Sequence, residues 1–127
     1  MKVVAFLALT VLLLSSCASP GHREDQYREA STFNQHDDEA FRAVRLELMS
    51  CMGHHAAVVI HGSDDVPFLV EHIAAMCQPI VDKLTKAVQS SGFSPAFTDS
   101  YVQTSLSEAK RVVASLILKE KAKESGA

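Results

Sequence analysis

Apolar residues recur along this chain in more than one spacing, and each spacing predicts a different kind of element. From Val3 to Leu14, eleven of twelve residues are apolar, with no periodicity. Crossing a bilayer takes a helix of about 20 apolar residues, so this run is too short to span. It has instead the length and the flanking Lys2 of a cleaved secretory signal. From Ser19 to Gln35 the chain is polar, Pro20-Gly21 punctuates it, and charges alternate in sign from Arg23 to Glu29. This stretch predicts a solvated tether with one weak helical turn around Asp25–Ala30. A flexible chain of its seventeen residues has an r.m.s. reach of ~20–25 Å.

The period then becomes helical. Phe41, Val44, Leu48, Cys51 and His55 recur in steps of three and four, with Val58 and Val59 continuing the face. That stripe predicts a first helix over 36–61. His61-Gly62 suits its end, with the glycine in the left-handed conformation. Ser63-Asp64-Asp65 offers caps to a second helix, and Pro67 falls in its first turn, where a missing N–H does no harm. Leu69, Ile73, Met76, Ile80, Leu84 and Ala87/Val88 mark this second helix over 65–91. Pro79 should kink it near Ala75. Gly92 supplies a left-handed stop, with Phe93 folding back towards Val88. Thr98 is the expected cap of a third helix over 98–122, and Phe97 the staple onto Val102. Its stripe runs through Val102, Leu106, Ala109, Val113, Leu116 and Ile117. The predicted fold is therefore all-α, a small up-down-up three-helix bundle over residues 36–127.

Composition narrows this further. A chain of 127 residues that loses its first sixteen retains enough for one domain and not for two. Hydrophobic residues make up 47%, too many for a disordered chain, while the absence of Trp and only five Gly weigh against a β-rich one. The formal charge of −3 gives no electrostatic case for nucleic acid, which calls for a basic face.

The residues that end the apolar run read Leu14-Ser15-Ser16-Cys17. Aliphatic, small, small, cysteine is a lipobox, and over its first eighteen or so residues the chain resembles the bacterial lipoprotein precursors. The resemblance implies cleavage between Ser16 and Cys17, diacylglycerol on the Cys17 sulfur and an N-acyl chain (palmitate or a similar fatty acid) on the new amine. Two or three acyl chains anchor stably where one holds only marginally, at ~0.8 kcal/mol per buried CH₂. Ala18 stands where an aspartate would retain such a protein in the inner membrane. In a two-membrane bacterium the resemblance therefore implies the periplasmic face of the outer membrane. Residues 1–16 are then signal peptide and 17–35 the lipidated N-terminus and tether.

Lipidation of Cys17 leaves two cysteines, Cys51 and Cys77. If the first two helices turn back on one another near residue 64, these two are equidistant from the turn and fall at one height. An exported protein meets an oxidising compartment, so a Cys51–Cys77 disulfide is expected. The alternatives are two buried free thiols or metal ligands. The same hairpin carries Met49, Met52, His54, His55, His61, His72 and Met76, donors that suit copper or zinc. His54, His61 and His72 point away from the apolar stripes, so the set diverges. The methionines are expected as core filler and His55 as a hydrogen-bonded core residue, with no metal and no cofactor.

Catalytic patterns are sparse. His61-Gly62-Ser63-Asp64-Asp65 has the side-chain types of a serine triad, but sequence neighbours rarely assemble that geometry, and each has a turn or capping role. No Gly-rich phosphate loop or nucleophile elbow is present. The expectation is a non-catalytic lipoprotein, held to the membrane through Cys17, whose helical domain binds another envelope protein. The alternative is a copper- or zinc-binding lipoprotein that uses the hairpin donors.

Overall fold

The computed structural model describes residues 26–126, and four helices run along them in order. They are α1 (Gln35–Val59), α2 (Val66–Met76), α3 (Gln78–Ser90) and α4 (Pro95–Glu124). The fold is all-helical, with no strand among the described residues. Cys17, the Ser16–Cys17 cleavage position and the first part of the expected tether lie outside the described residues. Among the described residues no helix is long and apolar enough to cross a membrane.

The expected three-helix bundle is corrected to four helices because the 65–91 segment divides at Cys77. Pro79 has no N–H to give the Ala75 carbonyl, and its ring crowds that carbonyl. The last turn of α2 tightens in response: the Cys77 N–H is shared between the carbonyls of Ile73 and Ala74, at 3.2 and 3.1 Å. Cys77 itself sits at φ −95°, ψ 10°, and serves as the cap of both helices. The expected kink is thus a full break, two residues beyond Ala75. On either side of the break, α2 and α3 each pack against both α1 and α4.

Helix α1 starts from a reciprocal cap. Asn34 accepts from the N–H groups of His36 and Asp37, while the Asp37 carboxylate accepts from the Asn34 N–H at 3.0 Å. Its buried face runs through Phe41, Val44, Leu48, Met52, Ala56 and, just past its end, Ile60. From Val44 onward this face advances four residues at a time, about 40° beyond a full turn per step. The stripe therefore winds away from the expected one, leaving Cys51 and His55 half-buried on its flank and Val58 67% exposed. Met76 and Leu116 are likewise exposed rather than core, at 39% and 47%.

Two further expectations change, and the left-handed stop at Gly92 holds. Gly62 does not take a positive φ, whereas Gly92 does, at +92°. The cap of α4 is Ser94, which accepts from the Phe97 N–H at 3.1 Å, with Pro95 in the first turn. Thr98 lies inside the helix, fully buried, its hydroxyl donating to the Ser94 carbonyl at 2.9 Å. That back-bond lets an otherwise polar side chain enter the core without an unmet hydrogen bond.

Residues assigned by sequence to the end of the tether belong to the domain. The Arg28 N–H donates to the Gly92 carbonyl at 2.8 Å. Its guanidinium grips both oxygens of buried Asp37, at 2.8 and 2.9 Å, and lies 4.3 Å over the Phe93 ring. Phe33 stands among Phe41, Phe93, Phe97 and Tyr101 with ring centroids 5.7–6.2 Å away. This strap closes one end of the helices with aromatic surface, and the fork of the arginine fixes its register.

The Arg28 hydrogen bonds hold the Asp37 carboxyl below the usual aspartate range, against the opposing effect of burial. A carboxyl depressed in the folded state contributes stability that is complete above its unfolded value, about 3.9. That contribution is lost as acid protonates the folded group. Asp37→Asn should therefore be less stable than the parent at neutral pH, and the gap should close as the pH drops below about 4. Urea unfolding followed by circular dichroism at neutral and acid pH checks this; a gap independent of pH would deny the pair its role.

Candidate functional site

The break at Cys77 delivers a fully buried sulfur from the α2–α3 joint to the flank of α1. Cys51 meets it there, with the two Cα atoms 6.0 Å apart and the sulfurs joined as a disulfide. That Cα separation lies within the ordinary range for a bridge. The equal distances of the two cysteines from the turn, read from sequence, thus correspond to a real juxtaposition.

His55 completes the cluster. It lies one helical turn after Cys51 on α1, and the donor atoms of Cys51, His55 and Cys77 all lie within 4.8 Å of one another. Cys51 and His55 are half-buried, so the cluster opens to solvent on one side, while Cys77 closes the other. From sequence, His55 is expected inside the core and the hairpin donors are expected to diverge. Divergence does hold for His54, His61 and His72, which are exposed. It fails for His55, because the winding of the α1 stripe turns that side chain towards Cys77. The available signal was the four-residue step from Cys51 to His55 combined with the level of Cys77. Met52 is sealed in the core at 0% exposure and Met76 lies at the surface, so the two thioethers face different surroundings.

The residues resembling a triad serve structural ends. Ser63 Oγ accepts from the Asp65 N–H at 3.0 Å, and the Asp65 carboxylate caps α2 by accepting from the Phe68 N–H at 3.0 Å. Asp64 meets Lys121 at 3.3 Å, and His61 Nδ1 lies 3.5 Å from Glu124. These contacts tie the α1–α2 turn to the last turns of α4. The Tyr101 hydroxyl is buried and has no hydrogen-bond partner among the described residues. Burial pushes its phenol up from the usual value, which keeps it neutral.

Two shallow apolar grooves flank α4. One lies against α1, where Leu46 and Met49 face Val112, and farther along Ala57 faces Leu116. The other lies against α2, between Val66 and Val70 on one wall and Ala114 and Leu118 on the other. Leu46, Val112, Leu116 and Leu118 are each more than 40% exposed. No known protein family, curated protein or solved structure matches this chain.

A bridge across a separation of 26 residues is worth roughly 3–4 kcal/mol in the chain-entropy estimate. Cys51→Ser and Cys77→Ser should each lose up to about that much stability while keeping the helical circular dichroism of the parent. Thiol counting on denatured protein should find one free thiol among these positions in either variant and none in the parent. Two free thiols in parent protein taken directly from cells would show that the bridge does not form there.

Proposed function

We propose that this chain is a bacterial lipoprotein, anchored through lipid on Cys17, whose helical domain is non-catalytic and binds another protein of the cell envelope. The observation that carries the reading is Leu14-Ser15-Ser16-Cys17 at the end of a short apolar run. The folded domain begins by Arg28, only eleven residues after Cys17. Fully extended, those residues reach at most about 36–40 Å, so the domain works close to the lipid surface. The disulfide pair suits an oxidising compartment, and Ala18 in place of aspartate fits the outer membrane of a two-membrane host. The exposed leucines beside α4 offer the partner an apolar surface, since large side chains clustered in open grooves favour burial against another protein.

Growth with labelled palmitate tests the anchor. The parent should carry label and fractionate with membranes, and Cys17→Ser should do neither; a labelled, processed Cys17→Ser protein would overturn the assignment. For the partner, a photo-crosslinking residue at position 46 or 116 should capture one defined envelope protein, whereas the same residue at position 89 on α3 should not. Equal capture from all three positions would remove the α1–α4 groove from the reading.

A further inference from the structure

We propose that Cys51, His55 and Cys77 form a redox-gated zinc site, closed while the sulfurs are bonded and formed when they are parted. Two thiolates and an imidazole are a donor set that zinc takes in tetrahedral geometry, with Zn–S near 2.3 Å and Zn–N near 2.0–2.1 Å. Those bond lengths place neighbouring donors about 3.6–3.8 Å apart. The three donor atoms here already lie within 4.8 Å of one another, on backbone whose cysteine Cα atoms are 6.0 Å apart. Forming the site means parting the two bonded sulfurs to that spacing and bringing the His55 imidazole up to both.

The placement suits a metal for further reasons. Cys51 and His55 come from successive turns of one long helix, so their spacing is fixed before any ion arrives. Cys77 sits at a helix joint that Pro79 holds in place. The half-exposed side of the cluster leaves the fourth tetrahedral position to water. Since the disulfide uses both sulfurs, the bridged and metal-bound states exclude each other, and either one pins α1 to the α2–α3 joint.

The conversion balances with a dithiol as reductant. The dithiol gives two electrons and two protons, becomes a disulfide itself, and leaves Cys51 and Cys77 as thiols. Zinc then displaces those two protons and takes a lone pair from the neutral imidazole of His55. All three donors lie within residues 51–77 and need no lipid on Cys17.

The test uses the purified full-length protein, reduced with dithiothreitol, freed of it and kept anaerobic. The reduced protein should bind one zinc per chain, and the untreated disulfide form none at the same concentration. Cobalt(II) in place of zinc should give sulfur-to-metal charge-transfer bands and the visible bands of a tetrahedral ion. His55→Ala should weaken zinc by well over the roughly 10-fold that loss of even an outer-shell partner brings, and should alter the cobalt spectrum. His54→Ala, one residue away and exposed, should match the parent. Should reduction unfold the domain, one equivalent of zinc should restore its circular dichroism, because metal binding then drives folding. Failure of the reduced protein to bind or refold with zinc overturns the proposal, as does binding that His55→Ala leaves unchanged.

Discussion

The missing N–H of Pro79 is the constraint from which most of this architecture follows. Without it the α2 segment closes in a tight turn at Cys77 and the chain sets off again as α3. A single unbroken helix has one straight axis, and its apolar stripe follows that axis. Two shorter helices are free to lie at independent angles, and α2 and α3 each contact both α1 and α4. The joint is also where a cysteine is fully buried against the flank of α1. Fold and candidate site thus share one cause, the amide hydrogen that proline lacks.

At the far end of α3 a different device operates. Gly92 adopts a conformation that other residues take only with strain, and its carbonyl receives the Arg28 N–H. The arginine then spans Asp37 on α1 and the Phe93 ring beyond α3. A polar bond network and a group of five aromatic rings thus meet at the same strap. The arginine stays charged at every accessible pH, so acid acts on this pair through Asp37.

Energetically, the cluster of Cys51, His55 and Cys77 and the grooves along α4 belong to different parts of the fold. The cluster sits where α1 meets the α2–α3 joint, and its chemistry depends on the oxidation state of sulfur. The grooves depend on exposed aliphatic side chains, which carry no such dependence. A zinc-loaded and a disulfide-bonded domain would present the same α4 surface to a partner, because both states hold the same two backbone segments together.

The sequence by itself determined the helical class, the turns near residues 64 and 92, and the common level of Cys51 and Cys77. These are local or near-local matters: apolar periodicity, Gly92 as a helix stop, and two cysteines equally far from one turn. It also placed Pro79 correctly as a defect, though not as a division between two helices, since whether a kinked helix bends or breaks depends on what packs on either side. Only the tertiary structure decided that Arg28 and Phe33 join the core, because a polar run looks solvated until Gly92, Asp37 and Phe93 supply its partners from remote positions. Only the tertiary structure turned His55 towards the cysteines as well. A stripe stepping by three and four averages out to a straight face, whereas successive four-residue steps from Val44 to Ile60 wound it away from His55 and left that side chain beside Cys77.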